Sequence, residues 1–118
     1  YLCCREAFKA MKKHGGGTIV NVASVAGKEA WAGLSLYGAS KFGLMGLSQA
    51  LADEGAPHGI KVSALCPGAV NTPMAKSFGI KPEDLIQAED VAEAALYLTL
   101  LPKNVVVKEL VLDRRGAD

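Results

Sequence analysis

Tyr37-Gly38-Ala39-Ser40-Lys41 opens a run, from about residue 36 to 56, whose apolar side chains recur at helical spacing, with Leu44, Leu47 and Leu51 on one stripe. On either side of it stand two short strand-like runs, Thr18-Ile19-Val20-Asn21-Val22-Ala23-Ser24 and Ile60-Lys61-Val62-Ser63-Ala64-Leu65-Cys66. The first is nearly continuous in apolar and β-branched residues, as a strand buried on both faces should be. Strand, long helix and strand form a βαβ crossover, so the two strands are expected to be parallel and the crossover right-handed. The fold class is therefore α/β.

The same helix carries the chemistry. Tyr37 and Lys41 are four apart, which puts an ammonium one helical turn from a phenol. A free tyrosine ionises near pH ~10, and a neighbouring cation favours the phenolate, so this pairing makes a tyrosine usable as a general acid or base. Ser24 ends the preceding strand, and a hydroxyl at the C-terminal end of a parallel strand faces the crevice where open α/β sheets bind ligands. A Tyr-x-x-x-Lys alone is often accidental. The strand-end serine before it, and Pro67-Gly68 with Thr72 after the next strand, give it weight.

Together, Asn21-Val22-Ala23-Ser24, Tyr37-Gly38-Ala39-Ser40-Lys41 and Cys66-Pro67-Gly68-Ala69-Val70-Asn71-Thr72 resemble the short-chain dehydrogenase/reductase family, and the resemblance runs over essentially all 118 residues. It implies that residues 1–118 are the C-terminal portion of a single NAD(P)-binding domain. That portion would be part of a Rossmann-like, doubly wound parallel sheet with three strands and about three helices. The glycine-rich phosphate loop and a catalytic asparagine would then lie before Tyr1, where the chain opens already inside a helical pattern. The resemblance also implies hydride transfer between a nicotinamide cofactor and a carbonyl or secondary alcohol. Tyr37 is the expected proton donor or acceptor, Ser24 orients the substrate oxygen, and Lys41 favours the phenolate and holds the nicotinamide ribose. Tyr37, Lys41, Pro67, Gly68, main-chain groups near Val70, and Thr72 are expected at the cofactor. The cofactor is NAD or NADP, with NADP preferred. By the same resemblance the helices at 1–14 and 36–56 pair with a neighbouring subunit, giving a homodimer or homotetramer. Arg114-Arg115 replace the paired glycines of many members and look more like the branch acting on small hydroxy acids and polyols.

Other readings compete. The chain could be a catalytically inactive piece or a helix-pair dimerisation module, since the phosphate-binding half is not in it and one flank of its sheet would be unpaired. A sugar-nucleotide epimerase shares Tyr-x-x-x-Lys, but the short region after Thr72 leaves little room for the larger substrate lobe. Gly43, Gly46 and Ala50 give the long helix a face of small residues, suited to another helix or, alternatively, to close packing on its own sheet.

Thirteen basic against twelve acidic residues leave a net charge of +1, which points to neither nucleic acid nor an anionic membrane, and half the residues are hydrophobic, as in a globular core. Cys3, Cys4 and Cys66 have no metal-ligand spacing and are expected as buried reduced thiols in a cytoplasmic protein, with no metal. His14 and His58 sit beside glycines and are read as solvated. Cys4, Phe8 and Met11 make the stripe of a first helix ending in lysines, and Gly15-Gly16-Gly17 form a turn. A phosphate loop would follow a strand and open a helix, whereas this one does the reverse. Residues 25–36 read as a loop in which Trp31 packs, and 73–88 as a compact cover. There Met74, Phe78 and Ile80 either line a pocket or lie buried beneath the cover. Glu89-Asp90 open a last helix with Val91, Ala94, Ala95 and Leu98 inward, Pro102 ends it, and Val105–Leu112 read as the final strand.

Overall fold

Ile60, Val62, Ala64 and Cys66 are almost wholly buried, and so are Ser63 and Leu65 between them. A strand closed on both faces belongs at the centre of a parallel sheet, and that is its place. The computed structural model describes residues 1–117. It contains helix α1 (Leu2–His14), strand β1 (Gly17–Val22), helix α2 (Ser35–Gly55), strand β2 (Ile60–Pro67), helix α3 (Ala88–Leu100) and strand β3 (Glu109–Leu112). Single 3-10 turns lie at Val25–Gly27, Ala56–His58 and Pro82–Asp84, and a longer 3-10 segment at Pro73–Phe78. The sheet order is β1-β2-β3, and both pairings are parallel, with Gly17 opposite Ile60 and Ala64 opposite Glu109.

Helices cover both faces. The even-numbered residues of β2 meet α1 and α2. Ile60 and Val62 join Cys4 and Ile19 under Phe8, Met11 and Leu51, while Ala64 and Cys66 join Ala23 and Met45. The odd-numbered residues face the other way. There Lys61 donates its ammonium to the carbonyl oxygens of Leu101 (2.8 Å) and Pro102 (3.1 Å), just past the end of α3. α3 buries Leu98 and starts on a reciprocal cap between Gln87 and Asp90. This is the doubly wound α/β arrangement expected from the sequence.

Of the triple glycine, Gly15 and Gly16 form the turn, and Gly17 already opens β1. Gly16 has φ +127°, and a Cβ there would sit 2.5 Å from the Gly59 carbonyl oxygen, so only glycine lets the two strand starts come this close. A polar thread then ties β1 to both helices on its face. Cys4 Sγ donates to Asn21 Oδ1 (3.3 Å), Asn21 Nδ2 donates to Ser48 Oγ (2.9 Å), and Ser48 Oγ donates to the Leu44 carbonyl (2.7 Å).

Several expectations need correction. β1 ends at Val22 and not at Ser24. Ala23 still donates to the Leu65 carbonyl at 2.7 Å, after which the chain bends into the Val25–Gly27 turn. β3 begins only at Glu109, because residues 102–108 span the gap from α3 to the sheet and Val105 closes a turn on the Pro102 carbonyl. The buried line of α2 is Gly38, Met45, Ser48 and Gly55, with Leu44, Leu47 and Leu51 half-buried beside it. Close packing of Gly43 and Gly46 on the sheet is also ruled out, since a Cβ at either would meet open space. Cys3 is exposed, whereas Cys4 and Cys66 are buried, and all three thiols are free. His14 and His58 are exposed, as expected.

Candidate active site

The C-terminal ends of β1 and β2 open into a cavity of about 530 Å³. Ser24, Tyr37, Pro67, Gly68, Val70 and Thr72 all contribute to its wall. Lys41 does not line it. Its ammonium lies 5.6 Å from the centre of the Tyr37 ring and donates to the Val22 carbonyl at 3.3 Å, which holds it alongside the phenol.

The local fold sets each group. Ser24 is extended and caps the Val25–Gly27 turn, its Oγ accepting the Ala26 amide at 3.1 Å. With a lone pair engaged by the backbone and the residue 92% buried from solvent, the hydroxyl proton remains available to a ligand oxygen. Tyr37 stands in the first turn of α2, which begins at Ser35, so the phenol projects past the helix start into the crevice. Gly27 joins the two pieces. A Cβ there would lie 2.8 Å from Met45 Cγ and 2.9 Å from the Lys41 carbonyl oxygen. The serine-bearing turn thus rests directly on the helix that carries Tyr37 and Lys41.

The opposite wall is main chain. After Pro67, the Gly68 amide donates to the Leu112 carbonyl at 2.7 Å, and Val70 forms a parallel bridge with Ile86. In that bridge Asn71 donates to Ile86 (2.8 Å) and Ile86 donates to Ala69 (3.1 Å), so the amide and carbonyl of Val70 itself point away from Ile86. The Val70 carbonyl accepts the Thr72 hydroxyl at 3.3 Å, while its N–H has no partner among the described residues. A free main-chain donor, a main-chain acceptor and a hydroxyl within three residues suit a carboxamide. The nicotinamide end of a dinucleotide therefore fits the groups present here.

The sequence left Met74, Phe78 and Ile80 undecided. Met74 and Phe78 line the cavity and Ile80 does not. Trp31, read as loop packing, lines it as well, and Leu34 was not singled out at all. Wall residues in irregular segments leave no periodic trace. Nearby, burial pushes the Cys66 thiol up from its ordinary pKa, and its Sγ sits 3.5 Å from Met45 Sδ. On the outer face, the Lys28 ammonium and the Gln49 amide both donate to the Glu109 carboxylate, which holds that carboxyl below the usual carboxylate range.

Residues 1–83 match the profile of the short chain dehydrogenase family. The chain is 42% identical over 111 residues to 3-oxoacyl-[acyl-carrier-protein] reductase of Bos taurus, covering 86% of this chain and 46% of that protein. Among solved structures it resembles a betaketoacyl-[ACP] reductase from Bacteroides thetaiotaomicron, with 40% identity and a TM-score of 0.79 over 94% of this chain and 47% of that one. It also resembles ElxO with NADP bound, with 31% identity and a TM-score of 0.81 over 97% of this chain and 51% of that one. The chain spans less than half the length of the curated relatives it matches.

Proposed function

The chain belongs to the short-chain dehydrogenase/reductase family, and from that membership we propose that it serves NAD(P)-dependent oxidoreduction of a carbonyl or secondary alcohol. The observation that carries this reading is the meeting of Ser24 and Tyr37 at one cavity, with the Lys41 ammonium against the tyrosine ring. A bound nicotinamide supplies or accepts the hydride. The protein's own groups handle the oxygen. Ser24 donates a hydrogen bond to it, and Tyr37 transfers its phenolic proton to that oxygen as the carbonyl is reduced to the alcohol. The phenolate left behind lies beside the Lys41 cation until solvent reprotonates it. Run backwards, the phenolate takes the hydroxyl proton. Val70 and Thr72, with the Pro67-Gly68 turn, would hold the carboxamide, and Lys41 the ribose. NADP is the favoured form, as the resemblance to NADP-bound ElxO supports.

We further propose that residues 1–118 form one part of a single dinucleotide-binding domain, as the greater length of the relatives supports. In this reading the phosphates are held by chain outside these residues, and the 118 residues alone turn over little or no substrate. Self-association through α1 and α2 accompanies it. The open faces of Gly43 and Gly46 beside exposed Phe42 favour a helix partner there over further contact with the sheet. No helix among the described residues is long and apolar enough to cross a membrane. Three free thiols, one of them exposed, suit the reducing cytoplasm.

Tyr37→Phe tests the assignment in the protein from the complete reading frame. Turnover, followed by nicotinamide absorbance, should fall about 10²–10⁴-fold, with cofactor affinity retained. Unchanged turnover would sink the role given to Tyr37.

A further inference from the structure

The cavity wall carries a preference among substrates. Beside the hydroxyls of Ser24 and Tyr37, its outer side is built from Trp31, Leu34, Met74 and Phe78, and no charged side chain among the described residues lines it. Arg114 and Arg115, whose place at the chain end suggested hydroxy acids, line a separate depression with Glu83 and Asp84. The Lys41 ammonium is turned onto the Val22 carbonyl, and Lys76, although in the same turn as Met74, is exposed and outside the wall. A carboxylate entering here would shed water and gain no cation from the described residues in return. Met74 and Phe78 are meanwhile 70% and 54% exposed, apolar side chains at the cavity mouth that a hydrocarbon ligand would cover.

We propose that the substrate is an uncharged ketone, or the corresponding secondary alcohol, whose hydrocarbon substituent packs against Trp31, Leu34, Met74 and Phe78. This rests on the reading of Ser24 and Tyr37 as the contacts of the reacting oxygen. It replaces the hydroxy-acid expectation drawn from the chain end.

Trp31 lies in the wall, so its emission, identified as the part lost in Trp31→Phe, reports occupancy without any turnover. The protein from the complete reading frame is titrated with 2-octanone and, separately, with 7-oxooctanoate, the same ketone carrying a terminal carboxylate, while the Trp31 emission is followed. The neutral ketone should shift the emission saturably, and the keto acid should bind on the order of a hundredfold more weakly. Phe78→Ala and Met74→Ala, at exposed positions that leave the core intact, should each weaken 2-octanone about five- to tenfold. Equal or tighter binding of 7-oxooctanoate overturns the proposal, as does a silent Trp31 with both ligands. If the protein from the complete reading frame binds 2-octanone yet gives no hydride transfer with reduced cofactor, the pocket assignment stands and the reaction is refuted instead.

Discussion

Replacing Gly27 and Gly43 by alanine makes one chemical change at two places, with opposite expected signs. At Gly27 the new methyl would lie 2.8 Å from Met45 Cγ and 2.9 Å from the Lys41 carbonyl oxygen. Neither can yield cheaply. The carbonyl belongs to α2, and Met45 is 6% exposed and packed on Cys66. Overpacking of this kind costs about 1–3 kcal/mol, offset by about 0.4–1 kcal/mol from the stiffer unfolded chain. A net loss of about 1–2 kcal/mol should lower Tm by about 5–10 °C in a domain of this size. At Gly43 nothing lies within 4 Å of the new methyl. There the substitution restores helix propensity, worth about 0.8–1 kcal/mol, and should raise Tm by about 3–5 °C. Thermal unfolding by circular dichroism would be read at protein concentrations where Tm no longer depends on concentration. Gly27 also seats the turn that carries Ser24, so displacement of that turn should cut kcat in the complete enzyme by about tenfold or more. A Gly27→Ala protein with unchanged Tm and kcat would refute the claim that this contact fixes Ser24 relative to Tyr37.

Further outcomes follow from the same geometry. Leu65→Ala, at a side chain with no exposure in the central strand, should cost about 2–5 kcal/mol in urea unfolding. Cys3 should react with a thiol reagent in the native protein, while buried Cys4 and Cys66, the latter also raised in pKa by burial, should react only on unfolding. The hydrogen bonds from Lys28 and Gln49 hold Glu109 below its unfolded pKa of about 4.3. The stabilisation is therefore present above that value and lost as pH falls through the lower folded one. The bond that Lys28 donates to Glu109 likewise raises the Lys28 pKa, so its share is lost only at pH above the ordinary lysine range. Glu109→Gln should therefore be less stable than the parent at pH 7, with the difference shrinking as pH falls below the usual carboxylate range; a difference that stays constant as pH falls would contradict this.

The parallel βαβ unit was legible because its signals are local: β-branched runs on both sides of a helical period. The gathering of Ser24 and Tyr37 followed from the same logic, since a strand-end hydroxyl and a helix-start phenol in a βαβ unit meet at one crevice. What escaped depends on contacts between distant segments. β3 lost its first residues because the chain must first cross from α3, an obligation invisible in Val105-Val106-Val107. Of the stripe Leu44, Leu47 and Leu51, Leu51 packs over Ile60 and Val62 and Leu44 against Ala64 and Cys66, but the deepest positions of α2 are Met45 and Ser48, which the stripe did not name. Gly27 gave no sign of its importance, because the atoms it makes room for are 14 and 18 positions further along the chain. That the Val70 amide has no partner among the described residues likewise follows from its bridge to Ile86, a pairing too short to leave a sequence pattern.

Isotope transfer puts the central claim at most direct risk. The protein from the complete reading frame is given reduced cofactor carrying deuterium at both nicotinamide C4 positions, with 2-octanone, and the alcohol is analysed by mass spectrometry. The account predicts deuterium at the carbinol carbon and a hydroxyl proton drawn from solvent, with both product and label lost in Tyr37→Phe. An alcohol without deuterium, or full label transfer in Tyr37→Phe, would contradict it.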